Sequence, residues 1–269
     1  MEGFASRVTG TTDFDALEGS RLVVITAGLA RKPGMSRDDL LAANAGIVGP
    51  IAERIARRAP QAVVIVVTNP LDIMVALTLQ RTGFPRQRGM GLAGVLDSAR
   101  LRAAIAERLN IASSKVQAMV LGSHGNLMVP VLGSILVDGQ PIEPHMGPVA
   151  LEELFARTRD GGAEIVKFLK TGSAFYAPAS SVVEMAGHIL KDTKALLPVC
   201  VRLEGEYGLR DVCLGVPVHL GASGIERIVE LPLRPEEQRA LAAAAEQVRE
   251  MTRALASVSS KPAAPAATP

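Results

Sequence analysis

Four short stretches carry residue types able to do chemistry: ARKPGMSR (30–37), VTNPLD (67–72), LDSAR (96–100) and GSHGN (122–126). An imidazole titrates near neutrality, so His124 is a natural donor of a proton to an alkoxide, or acceptor of one from an alcohol. Gly122 and Gly125 flank it and let the ring stand clear of its backbone. A carboxylate nearby would hold the imidazolium and fix its tautomer. Arg100 follows Asp97 by three residues. At a helix start those two side chains share one face and can point into one pocket. A guanidinium offers a carboxylate a bidentate fork that no other side chain matches. Together these groups suit proton transfer on a small carboxylic acid. Taken singly, each stretch has an ordinary reading. A lone His is a satisfied structural residue, Arg-Lys-Pro-Gly a solvated loop, Asn-Pro a turn, and Asp97 a helix N-cap.

Those residues need elements to hold them. RLVVITA (21–27) and QAVVIVVT (61–68) are apolar runs without alternation, which suit strands buried on both faces of a parallel sheet. Between them Leu40, Ile47, Val48, Ile51 and Ile55 recur at helical spacing, and Ser36 with Asp39 reads as a helix start. Arg54, Arg57 and Arg58 fall where cations favour the helix dipole. This is a βαβ unit. Helices are expected over 70–81 and from Asp97 to about Asn110. Short strands follow over 116–121, 128–132 and 134–137, with a hairpin turn at Asp138-Gly139. Helices over 151–169, 180–191 and 235–255 alternate with antiparallel β segments over 195–220 and 225–231. The expected fold is therefore α/β: a parallel sheet first, then a mixed α+β part, with the boundary near 91–94.

Composition excludes several classes. Hydrophobic residues are 48% and charged residues 21%, as in globular chains. Aromatics are 3% and Trp is absent, so a base-stacking nucleic-acid platform is not expected. The formal net charge is +2 and scattered, which gives no argument for a polyanionic partner. No apolar run is long enough to span a bilayer, and MEGFASRVTG has no apolar signal core. Cys200 and Cys213 lie in apolar β-like runs and read as buried thiols of a reducing compartment, so the cytoplasm is expected. No metal cluster is expected.

GMGLAG (89–94) satisfies G-x-G-x-x-G but lacks the context of a pyrophosphate loop. TGFPRQR before it is not strand-like, and no acidic residue lies about twenty positions on. A glycine-rich crossing between strand and helix is the expected reading.

In order and company, ITAGLARKPGMSRDDLL, VTNPLD, GVLDSARLR, GSHGN and GSAFYAPASSVVEM resemble the lactate/malate dehydrogenase family, within it the lactate-dehydrogenase-like malate dehydrogenases. The resemblance runs from about Glu2 to Leu255. It implies an incomplete doubly wound (Rossmann-type) dinucleotide-binding domain over 1–92 and a substrate domain over 93–256, while the low-complexity tail SVSSKPAAPAATP over 257–269 is expected to be disordered. It implies reversible hydride transfer between malate and oxaloacetate with NAD, a step of the tricarboxylic acid cycle, in a homodimer or homotetramer. His124 is then the acid/base, Asp97 its partner and Arg37 the cation polarising the carbonyl. Arg100 clamps one carboxylate. Arg31, at the lid position that discriminates substrates, matches a second carboxylate, where the lactate enzymes usually carry Gln. Asn69 contacts substrate and nicotinamide, and Asn44, Val67 and Thr68 match cofactor-contacting positions. His145, His188 and His219 lack useful company and read as structural.

The resemblance enters the family pattern just before its third strand, expected at 7–11. The glycine-rich loop and ribose-binding acid, within roughly seventy residues of strand and helix, have no counterpart before Arg21. A misassigned start, a fragment, or a real truncation would each account for this. The alternative function is then a truncated, catalytically incompetent homologue acting as a binding module or hetero-oligomer partner, for example along the open edge of RLVVITA.

Overall fold

A computed structural model describes residues 5–30, 35–170 and 172–259, with the backbone alone at Arg37 and at 256–259. The first half is built as expected. β1 (Leu22–Ile25) pairs in parallel with β2 (Val63–Val66), which pairs in parallel with β3 (Gly89–Gly91). The crossovers are α1 (Arg37–Arg58) and α2 (Leu71–Thr82). Ser36 and Asp39 close a reciprocal capping box at the start of α1. Gly83, at φ 67°, ends α2 in the left-handed conformation. All four residues of β2 are buried. Val23 and Ile25 of β1 and Val64 and Val66 of β2 share a core with α1 and α2. β1 lies at the sheet edge, and its Leu22 and Val24 are only half-covered.

Residues 7–11, expected as a strand, are exposed and irregular. A strand is held by its ladder, and no strand among the described residues offers one to them.

GMGLAG is the expected crossing from strand to helix: Gly89–Gly91 form β3, Leu92 and Ala93 link it onward, and Gly94 starts α3 (Gly94–Leu109). A Cβ on Gly91 would lie 2.6 Å from Val75 Cγ2, and one on Gly94 would lie 2.4 Å from the Val120 carbonyl oxygen. These glycines serve close packing.

The second half begins with short strands: β4 (Val116–Gln117), β5 (Val120–Gly122), β6 (Met128–Pro130), β7 (Leu136–Val137) and β8 (Gln140–Pro141). The single strand expected over 116–121 is split, because β4 joins β7 in a small sheet while β5 joins the main one. Between them the Met119 N–H donates to Ser134 Oγ at 2.9 Å. Asp138 and Gly139, at φ 47° and 80°, make the expected turn between β7 and β8. Helices α4 (Pro148–Leu169) and α5 (Tyr176–Lys191) precede a long antiparallel pair, β9 (Ala195–Glu204) and β10 (Arg210–Gly221), followed by β11 (Gly224–Ile228) and α6 (Pro235–Ser259). Residues 257–259, expected in the tail, continue α6; the rest of the tail lies outside the described residues.

One eight-stranded sheet runs β1-β2-β3-β9-β10-β5-β6, with β11 also on β10. Parallel pairing gives way to antiparallel at β3 and β9, where Gly91 faces Cys200. Cys200 and Cys213 are free and buried there, as expected. Among the described residues no helix is long and apolar enough to cross a membrane.

Candidate active site

At this seam α2 and α3 both point their N-termini toward the loop after β5. Asp97 lies in the first turn of α3, three residues past its start, so it is a helical residue rather than an N-cap. Its carboxylate is 2% exposed, and Oδ2 lies 2.8 Å from His124 Nδ1. Gly122 and Gly125, at φ 87° and 135°, give the loop the turns that present the ring. With Nδ1 held by Asp97, Nε2 is the ring atom left to exchange a proton. Arg100 Nη1 lies 3.5 Å from the other Asp97 oxygen, on the same helix face, as the spacing predicts. Arg100 Nε is buried and has no hydrogen-bond partner among the described residues.

The electrostatics suit a proton carrier. Burial by itself lowers the His124 pKa, but the charge and hydrogen bond of Asp97, aided by Asp72, outweigh burial and the nearby Arg100, so it stands above 6.5.

Asp72 and Ser123 stand in the quoted stretches, yet the residue patterns assign them no role. Asp72, in the first turn of α2, is 2% exposed. Its Oδ2 accepts from Ser123 Oγ at 2.6 Å and from the His124 backbone N–H at 3.2 Å. Its Oδ1 is buried without a hydrogen-bond partner. Burial raises this carboxyl above the usual range, against the lowering influence of Ser123, Cys200 and His124. Burial and the Asp72 charge in turn hold the Cys200 thiol well up, and Cys213 is pushed up to about 12. A carboxylate inside the apolar turn LDIMVAL, directly after a buried strand, was the available signal.

A second set of contacts ties the carboxyl ends of β1 and β2. Asn44 is 1% exposed. Its Oδ1 accepts from the Leu29 N–H at 2.7 Å, and its Nδ2 donates to the carbonyls of Leu29 at 3.2 Å and Asn69 at 2.6 Å. Thr68 Oγ1 donates to the Ala27 carbonyl at 2.7 Å, and the Val67 N–H to that of Ile25 at 2.9 Å. Asn69 is exposed, three residues before Asp72. The structure thus gathers His124, Asp97 and Arg100, with Asn69, Thr68 and Asn44 at the adjoining strand ends. Arg31 and the Arg37 side chain lie outside the described residues. His188 Nδ1 pairs with Thr193 Oγ1 at 2.6 Å and His219 Nδ1 with the Lys194 carbonyl at 2.8 Å, both away from this site.

Residues 2–91 match the NAD binding domain of lactate/malate dehydrogenase, and residues 94–257 match its alpha/beta C-terminal domain. The chain belongs to the lactate/malate dehydrogenase family. The malate dehydrogenase of Synechocystis sp. is 51% identical over 249 residues, which cover 93% of this chain and 77% of that protein. The solved malate dehydrogenase of Salinibacter ruber superposes with a TM-score of 0.91 at 42% identity, covering 96% of this chain and 82% of that one. The lactate dehydrogenase of Cryptosporidium parvum superposes with a TM-score of 0.90 at 37% identity, over 96% and 82%. Within the family's NAD-binding unit fall β1, β2 and β3, together with Asn44, Val67, Thr68 and Asn69. The family's C-terminal unit contains Asp97, Arg100 and His124.

Proposed function

We propose that the chain interconverts malate and oxaloacetate as an NAD-dependent dehydrogenase. One observation carries the reading: a single buried carboxylate, Asp97, joins the His124 ring to the Arg100 guanidinium. NAD, when bound, supplies or accepts the hydride at the substrate carbon. His124 Nε2 gives a proton to the carbonyl oxygen of oxaloacetate as it becomes the hydroxyl of malate, and takes that proton back from the hydroxyl in the reverse direction. Asp97 fixes the tautomer and holds the imidazolium. Arg100 takes one substrate carboxylate in its fork, which gives its otherwise unpartnered Nε surroundings a ligand. Arg31 and Arg37 enter from the sequence pattern, Arg31 for the second carboxylate and Arg37 for the developing charge on the carbonyl oxygen.

The strand ends fit the nicotinamide end of the cofactor. The exposed Asn69 amide is of the right chemistry for a carboxamide or a substrate oxygen, and parallel strands bind ligands at their carboxyl ends. Asn44 and Thr68 have their polar atoms engaged internally, so they serve the cofactor by holding the backbone from Val67 to Asn69 and at Leu29. The division of labour follows 1–92 for cofactor and 93–256 for substrate. The exposed apolar side chains Phe168, Phe175, Tyr176 and Val183 on and beside α4 and α5 support a homo-oligomer, a dimer or tetramer. The buried reduced thiols agree with a cytoplasmic place and with the tricarboxylic acid cycle reaction.

The deciding experiment compares initial rates on oxaloacetate and pyruvate with NADH. Oxaloacetate should be favoured at least about tenfold in kcat/KM, because pyruvate leaves the Arg31 guanidinium unpaired. Preference for pyruvate overturns the substrate assignment. A folded chain that does not bind NADH favours a partner-binding homologue instead.

A further inference from the structure

Two carboxylates, not one, converge on the residue that carries the proton. Asp97 reaches the His124 ring from the first turn of α3. Asp72 reaches the same residue from the first turn of α2, through the backbone N–H of His124 and the hydroxyl of Ser123 beside it. We propose that Asp72 is a positioning residue for proton transfer: its buried negative charge anchors the 122–126 loop and biases the imidazole toward its protonated form. The proposal rests on His124 being the acid/base of the dehydrogenase reading.

The contacts explain why the charge, and not only the hydrogen bonds, matters. Both groups facing Oδ2 are donors, as an anion requires. An asparagine could accept the same two bonds with its side-chain oxygen and put its NH2 in the place of the unpaired Oδ1. Anchoring alone therefore does not need a carboxylate. Leaving a buried oxygen unpaired is costly, and such costs persist at sites where the charge has work to do. Both carboxylates sit at helix N-termini, where the helix dipole favours a negative charge.

The charged and titratable groups facing each partner are few. His124 meets Asp97 and Arg100 from α3 and Asp72 from α2. Asp72 meets His124, Cys200 on β9 and, at longer range, Cys213 on β10. Arg100 opposes protonation of the ring, and the two carboxylates favour it. Removing the Asp72 charge while keeping its shape should release the proton more readily.

The test is a titration of the imidazoles by NMR in the intact chain, free of substrate and cofactor. The chain has four His residues, and His124 is assigned by the resonance lost in His124→Asn. Asp72→Asn should move the His124 midpoint down by about half a pH unit or more, a smaller step than Asp97→Asn produces. The alkaline limb of kcat/KM for oxaloacetate reduction should move down equally. An unchanged midpoint in a folded Asp72→Asn protein overturns the proposal, because a purely structural anchor would alter stability and leave the midpoint in place. Should that variant not fold, the Asp72 carboxyl carbon of the unaltered protein serves: it should show a step at the His124 midpoint, and a flat response there overturns the proposal. Absence of turnover in the unaltered protein with coupled titration intact would instead count against the malate reading alone.

Discussion

Two ion pairs of nearly the same length show what burial does to charge. Arg202 and Asp211, at the far end of the β9–β10 ladder, meet at 2.7 Å with side chains 49% and 65% exposed. His124 and Asp97 meet at 2.8 Å with side chains 15% and 2% exposed. Water screens the first pair, and holding two long side chains in one geometry takes back much of what attraction provides. Around the second pair water is excluded, so charges act strongly on one another and on the protons they hold. The direct effect on the Arg202 guanidinium is to reinforce a charge it never loses near neutrality, through its hydrogen bond to Asp211. The effect on His124 is to move a proton equilibrium that the reaction uses. Distance alone does not separate structural from chemical pairs; desolvation does.

The largest break in this comparison is His124→Asn. It keeps a polar side chain of similar reach and removes the titrating ring. Turnover of oxaloacetate should fall by about 10²–10⁴-fold, the range of a general acid, while NADH still quenches or shifts its fluorescence on binding. Retention of more than a tenth of the activity would place the proton donor elsewhere.

Asp97→Asn comes next and sharpens the electrostatic part. Reduction needs the protonated ring, so its kcat/KM is high below the His124 midpoint and falls above it; malate oxidation has the opposite dependence. Without Asp97 the midpoint should drop, moving both profiles to lower pH. Stability follows the same sign. A raised His midpoint means the folded state binds the proton more tightly, so the pair's contribution is fully present below the unfolded value near 6.5 and is lost as pH rises through the raised folded value. The unaltered protein should therefore lose its Tm advantage over Asp97→Asn as pH climbs through that window. Asp72 adds to the cost of the site. Burial raises its carboxyl, so its contribution is greatest below the unfolded value near 3.8 and declines as pH rises through the folded one.

The readable part of this site was local. Ser36 and Asp39 sit three residues apart and cap one helix; Asp97 and Arg100 sit three apart on another. Apolar runs marked β1 and β2 because strands buried on both faces need no polar alternation. What depended on distant partners was not readable. The Ser123 to Asp72 bond joins residues 51 apart in the chain. The break between β4 and β5 exists because two sheets claim the two halves, which no six-residue window contains. Residues 7–11 have strand-like composition, but strand propensity acts only where a neighbour accepts the backbone. The positions of Arg31 and Arg37 in the family pattern came from residue order, and order does not carry geometry.

Arg202→Ala is the smallest expected effect and closes the comparison from the other side. It deletes an exposed pair shorter than the catalytic one, together with a hydrogen bond that Asp211 can replace with water. The stability change should stay below about 1 kcal/mol, and should shrink further in high salt. Water screens an exposed pair at every pH between 6 and 8, so the difference in Tm should be flat across the range in which the Asp97 variant's difference slopes. A sloping difference for Arg202→Ala would mean that the charge at the far end of the ladder reaches the titrating groups at the seam. Arg202 lies two residues along β9 from Cys200, the neighbour of Asp72, and opposite Cys213 on β10, so this stretch of the ladder is where such coupling would run.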